Sequence, residues 1–130
     1  MTAAIAIGVG CRIGCPAASI EALVREALDR APAARRLGLF TICDKAEEPG
    51  LIAAADSLGL DLTFIARTVL QQQAPHIQTR SIHAQSRFGV PSVAEAAALA
   101  GAGTCAVLII PRIARHGVTC AIAEASEGPQ

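Results

Sequence analysis

The stretch Gly8-Val9-Gly10-Cys11-Arg12-Ile13-Gly14 follows an apolar run, Ala3 to Val9, and precedes a helical pattern that opens at Pro16. It reads as a strand-to-helix turn, the join from which α/β folds are built. Glycines let a backbone approach a ligand closely, and the amides and positive dipole end of the following helix attract an anion. Arg12 adds a fork of permanent donors. Gly8, Gly10, Cys11, Arg12 and Gly14 are therefore candidate ligand contacts. The spacing G-x-G-x-x-x-G is one residue longer than the dinucleotide fingerprint, and Asp44 lies beyond the roughly 20 residues at which that motif places its ribose-binding acid. Both departures speak against NAD or FAD, and no cofactor is expected.

Outward from this turn, Pro16 to Arg30 carries apolar residues at Ile20, Leu23, Val24, Ala27 and Leu28, the spacing of an amphipathic helix, and Pro32 stops it. Leu37 to Cys43 reads as a second strand, ending in Asp44-Lys45-Ala46-Glu47-Glu48. Leu51, Ala54, Ala55 and Leu58 mark a helix closed by Gly59. Leu60 to Ile65 alternates as a short third strand, with one or two helical turns through Leu70. Gln71 to Arg87 is polar and irregular, long for a connection inside a compact domain, and reads as a candidate flap or a short helix in disguise.

Pro91-Ser92-Val93-Ala94-Glu95 matches a capping box, with Ser92 as N-cap, ahead of an alanine-rich helix ended by Gly101 and Gly103. Cys105 to Ile110 is an apolar strand, Pro111 to Gly117 a basic turn, and Val118 to Ala123 a final strand in an antiparallel hairpin. The expected fold is α/β: a single three-layer domain, a mostly parallel sheet of about five strands with an antiparallel C-terminal hairpin strand, and helices on both faces. Residues 1–124 form the domain and 125–130 a polar tail.

At 130 residues the chain has the size of one domain. Three Phe without Trp or Tyr leave no stacking platform for bases, and 11 basic residues balance 11 acidic ones, so nucleic acid is not an expected partner. Five cysteines, an odd number set in apolar segments, fit a reducing cytoplasm better than a secreted disulfide framework. The N-terminus lacks the basic region of a signal peptide, and no apolar run approaches the ~20 residues of a membrane span.

In an open parallel sheet, ligands bind beyond the carboxyl ends of the strands. There the sequence gathers Arg12, Asp44, Lys45, Glu48 and Arg112, with the Ser92 helix start, a setting for a polyanionic small molecule. Plainer readings are an Arg12–Asp44 rim pair, a solvated helix start at Lys45 and Glu48, and a Glu95 that only closes its capping box. Cys11 and Cys15 have no second pair at ligand spacing, so no metal site is expected, and nothing in the spacing favours a Cys11–His nucleophile. His76, His83 and His116 read as exposed loop residues.

Four ordered motifs resemble the CobE / CbiG C-terminal domain family of cobalamin biosynthesis: Gly8 to Arg12, Asp44 to Leu51, Gly89 to Leu99, and Val118 to Ala123. The resemblance implies a compact α/β domain acting in corrin ring construction, here in the free-standing CobE-like form. The implied ligand is a corrinoid or precorrin intermediate such as hydrogenobyrinic acid, and another cobalamin-pathway enzyme is a further candidate partner. By this resemblance the family's charged motif residues carry over to Arg12, Asp44, Lys45, Glu48 and Glu95, with Thr119 on the last strand, as expected ligand contacts. Ile13 stands where the family commonly has a second arginine, and Arg112 where it commonly has lysine. A corrinoid acid bears carboxylates around an apolar macrocycle, which asks for cations at a rim and an apolar wall. Two readings follow. In the first, the protein holds the intermediate through Arg12, Lys45 and Arg112; in the second, it opens a lactone like that of cobalt-precorrin-5A, with Glu48 or Glu95 activating water and Arg12 stabilising the oxyanion.

Overall fold

A computed structural model describes residues 3–125, except for the His83 side chain. Of the expected tail only Ala125 falls among the described residues. The strands β1 (Ala4–Cys11), β2 (Arg35–Ile42), β3 (Leu62–Ile65), β4 (Val107–Arg115) and β5 (Val118–Glu124) form one sheet in the order β3-β2-β1-β5-β4. β1, β2 and β3 are parallel, whereas β5 runs antiparallel to both β1 and β4. Only β5 is therefore reversed, which agrees with the expected mostly parallel sheet and its C-terminal hairpin.

The two central strands alternate large and small side chains. Ile5, Ile7, Val9 and Cys11 of β1, with Val118, Cys120 and Ile122 of β5, join one buried cluster with Ile20, Leu23 and Val24 of α1 (Ala17–Arg30) and Leu51, Ala54 and Ala55 of α2 (Pro49–Leu58). Successive strand residues point to opposite faces, so Ala4, Ala6, Gly8 and Gly10 face the other way, as do Thr119, Ala121 and Ala123. Over that small-residue face lies α5 (Val93–Ala102), itself mostly alanine. The approach is close: a Cβ on Gly8 would stand 1.9 Å from the Ala94 carbonyl oxygen. The short α3 (Arg67–Gln71) and α4 (Ile82–Phe88) flank α5, with Leu70, Ile77 and Val90 buried against Val93, Ala96 and Ala97.

Local chemistry explains the helix limits. Pro16 is the N-cap of α1 in extended conformation, and Glu21–Arg25 and Glu26–Arg30 pair at i,i+4 at 2.8 and 2.7 Å. Pro49 occupies the first turn of α2, and Gly59 ends it at φ 70°.

The structure corrects four expectations. β1 runs on through Gly10 and Cys11, so the glycines lie within the strand and the turn begins at Arg12. β2 starts at Arg35 and ends at Ile42, and Cys43–Lys45 form a 3-10 turn. The Gln71–Arg87 segment is not irregular: it contains a 3-10 turn over Ala74–His76 and then α4, whose N-cap Ser81 accepts from the Ala84 amide at 3.2 Å. Finally, Pro111 and Arg112 lie inside β4, and the turn shrinks to His116 (φ 51°) and Gly117 (φ 80°). β4 is an edge strand, where proline's missing N–H is tolerated, and its register slips between Leu108 and Ile113 around that residue.

Candidate functional site

Beyond the carboxyl ends of β1 and β2, and beneath the β4–β5 hairpin, lies a solvent-open cavity of about 660 Å³. Arg12, Lys45 and Arg112 all line it, together with Gly10, Cys11 and Thr119. Ile42, Phe88, Val93 and Val118 give it an apolar wall. The N-terminus of α5 contributes Ser92 and Val93, which places the positive end of that helix at the edge of the hollow.

Two arginines outside the expected ligand contacts, Arg87 and Arg115, bring the lining cations to five; among the described residues no aspartate or glutamate lines the cavity. Only Arg115 of the five is in an ion pair among the described residues, at 3.0 Å from Glu26. Lys45 is the most constrained of them. It follows β2 in the 3-10 turn, is only 6% exposed, and has no carboxylate within ion-pair distance among the described residues. Its ammonium sits 5.8 Å from the centre of the Phe88 ring, which Arg67 and Arg87 also approach, at 5.8 and 5.4 Å. A ring face attracts a cation but does not neutralise it, so a buried, unpaired ammonium lowers the cost of bringing in an anion.

The backbone amides of the glycine segment are largely engaged elsewhere. Gly8 and Gly10 sit in the sheet ladders opposite Ala121 and Thr119. The Arg12 amide donates to the Gly117 carbonyl at 3.0 Å, and the Gly14 amide to Glu48 Oε2 at 3.0 Å. No residue of α1 lines the cavity. Charge is supplied to this hollow by side chains and by α5. Gly117, at positive φ, also leaves room for Arg12, whose Cδ would lie 3.0 Å from a Cβ at that position.

The carboxylates fall outside the main cavity. Asp44 pairs with Arg67 and not with Arg12; that hydrogen bond holds its carboxyl below the ordinary value. Asp44, Glu47 and Glu48 line a smaller neighbouring hollow of about 280 Å³, which shares Ile13, Lys45, Arg87 and Phe88 with the first. Glu95 is fully buried. The Ser92 hydroxyl accepts from the Glu95 amide at 3.2 Å, as a capping box requires, but the Glu95 carboxylate does not return to Ser92. One of its oxygens instead accepts from the Gln78 and Thr79 amides at 2.7 and 3.0 Å, and the other from the Arg112 amide at 2.8 Å. Glu95 thus ties the chain before α4 to the irregular part of β4, two elements that wall the cavity.

The three buried thiols are poor nucleophiles. Burial pushes the Cys11 thiol up to about 11, with Lys45 acting in the opposite sense, and burial pushes Cys120 up to about 12. Cys15 is also raised by burial. All five cysteines are free, with Cys43 and Cys105 exposed. Of the histidines, His76 is exposed, and His116 is exposed at the cavity's hairpin edge. The described residues contain no group of three or more His, Cys, Asp or Glu placed to hold a metal, and no helix long and apolar enough to cross a membrane.

Residues 5–123 match the family described as cobalamin synthesis G C-terminus. The chain belongs to that family. It is 36% identical to Protein CobE of Sinorhizobium sp over 123 residues, 93% of this chain and 80% of that protein. It is also similar to the crystal structure of CobE, a protein from the cobalamin (vitamin B12) biosynthetic pathway, with TM-score 0.86 and 33% identity over 95% of this chain and 92% of that one. A second crystal structure, cobalamin biosynthesis protein chiG from Agrobacterium tumefaciens str. C58, matches with TM-score 0.73 and 41% identity over 95% and 99%. This is a cobalamin biosynthesis protein of the CobE/CbiG type, as its four motifs imply. In this member of the family, Arg87 and Arg115 had no motif to announce them; the signal available was the basic character of α4's last turn and of the hairpin.

Proposed function

We propose that this protein holds a polycarboxylate corrinoid or precorrin intermediate, such as hydrogenobyrinic acid, in the cavity at the ends of β1 and β2. The observation that carries the reading is Lys45: a residue only 6% exposed, without an ion-pair partner among the described residues, lining a hollow with four arginines and, among those residues, no carboxylate. A macrocycle edged with acetates and propionates supplies the missing anions, and its apolar ring meets Ile42, Phe88, Val93 and Val118. The volume, about 660 Å³, is within the usual range for small-molecule sites, and the open side lets a large ring protrude. Arg12 and Arg112 grip carboxylates through their planar forks, Lys45 through a point charge. The site belongs to a cytoplasmic protein that hands its ligand to another enzyme of the pathway.

The lactone-opening alternative draws less support. The buried Glu95 uses both carboxylate oxygens on three backbone amides, and Glu48 is bonded to Gly14 beside the smaller hollow. Neither lines the cavity that gathers the cations.

Gel filtration of the protein with hydrogenobyrinic acid, followed at the ligand's visible bands, tests the proposal. Co-elution without spectral conversion is expected at micromolar concentration. Separation of ligand from protein contradicts it, and turnover of a lactone-bearing precorrin that Glu48→Gln abolishes establishes the alternative.

A further inference from the structure

The polar groups around this cavity are unequal in kind as well as in charge. Arg12, Arg87, Arg112, Arg115 and Lys45 offer hydrogen-bond donors only. The two lining serines have each given up acceptor capacity: Ser81 Oγ accepts from the Ala84 amide and Ser92 Oγ from the Glu95 amide, both at 3.2 Å, leaving their O–H protons to point elsewhere. The Thr119 hydroxyl donates to the Gly10 carbonyl at 3.4 Å. The hairpin carbonyls are engaged too, His116 by the Cys15 thiol at 3.9 Å and Gly117 by the Arg12 amide at 3.0 Å. A ligand therefore meets many donors and few free acceptors.

We infer that the cavity selects peripheral carboxylates over primary carboxamides, so that the protein acts on its ligand before an amide-forming reaction consumes those carboxylates. The inference rests on the holding proposal and deepens it. A carboxylate is acceptor-only and matches a donor-rich wall. A primary amide turns one acceptor oxygen into an NH2 group, whose two donors face guanidinium and ammonium donors and lose their water without replacement. Selection against the amide comes from this mismatch as much as from the lost charge. The consuming reaction is one that joins ammonia nitrogen to the ligand's carboxyl carbon with loss of water. An amidated product would leave the cavity and would not compete with fresh acid.

The test titrates the protein with two probes, hydrogenobyrinic acid and the same macrocycle with its peripheral carboxylates converted to primary amides, following visible absorbance. The acid is expected to bind at least 100-fold more tightly, since losing hydrogen bonds to charged groups at two gripped positions costs roughly tenfold each or more. Arg112→Gln, which introduces a carbonyl acceptor, is expected to narrow that preference by weakening the acid while improving the amide. Equal affinities for both probes in the wild-type protein overturn the selectivity and leave the holding proposal standing. Binding of neither probe by a protein with an unchanged circular dichroism spectrum removes both.

Discussion

The two faces of the central sheet solve different problems with the same strands. Toward α1 and α2, β1 and β5 present Ile5, Ile7, Val9, Cys120 and Ile122, which fill an apolar core. Toward α5 they present Ala4, Ala6, Gly8, Ala121 and Ala123, and the helix settles almost onto the sheet. The first face gains stability from apolar volume. The second gives volume up, and its close-set α5 brings two things to the end of the sheet: a helix N-terminus, and a buried carboxylate holding the elements on either side. Where the small-residue stripe ends, at Gly10 and Thr119, the cavity opens. Function sits on the face that gave up bulk.

That contrast breaks most readily at Gly8. Gly8→Val places side-chain atoms into the Ala94 backbone, which cannot retreat without moving α5, so a loss beyond the ~3 kcal/mol typical of overpacking is expected in urea unfolding. Wild-type stability in that variant would mean that α5 is not seated as described. Glu95→Ala comes next. It removes the acceptor of three part-buried bonds, from the amides of Gln78, Thr79 and Arg112, and empties a fully buried site, at a cost of roughly 3 kcal/mol. Amide exchange should rise at those three residues first, and unaltered protection there would refute the staple.

On the opposite face the expected change is smaller. Ile7→Val removes one buried methylene and should cost about 1 kcal/mol, with ligand affinity unchanged. The buried thiols of that same cluster supply a gentler probe. Cys11 and Cys120 hold their protons up to about 11 and about 12 when folded, against an ordinary value of 9.0. A group with a raised folded pKa contributes stability that is fully present below its unfolded value and lost as pH rises through the folded one. Stability should therefore decline between pH 9 and about 12, and Cys11→Ser and Cys120→Ser should each flatten that decline. At neutral pH, iodoacetamide should modify Cys43 and Cys105 well before Cys11, Cys15 and Cys120.

Much of the architecture could be read from periodicity and punctuation. The spacing Ile20, Leu23, Val24, Ala27 defines α1, and Pro49 with Gly59 brackets α2, because helix ends depend on local chemistry. The glycines were harder. Gly8 and Gly10 have the look of a ligand loop because glycine allows close approach, but the sequence does not say what approaches; here, at Gly8, it is a helix. The clue lay in the alternation Ala4-Ile5-Ala6-Ile7-Gly8-Val9-Gly10, large on one side and small on the other, repeated in Val118-Thr119-Cys120-Ala121-Ile122-Ala123.

The candidate site divides in the same way. Arg12 and Lys45 follow strand ends, where ligands collect in parallel sheets, and topology brings them to one hollow. Arg112 reaches it from within β4, because an edge-strand proline and register slips bend the chain there. Arg87 and Arg115 arrive from a segment read as a flap and from one read as a turn. Glu95 carries a capping-box signature yet spends its carboxylate on long-range amides, and no local motif encodes partners 16 and 17 residues away.

Under the holding proposal, five convergent cations at one hollow serve one acidic guest. Visible titration of hydrogenobyrinic acid into the wild-type protein and into an Arg12→Gln, Lys45→Met, Arg112→Gln triple variant measures this directly. With folding of the variant confirmed by circular dichroism, affinity is expected to fall at least 100-fold while unfolding stability changes by less than about 1 kcal/mol. Undiminished binding by the folded triple variant would contradict the claim that this cavity holds the ligand.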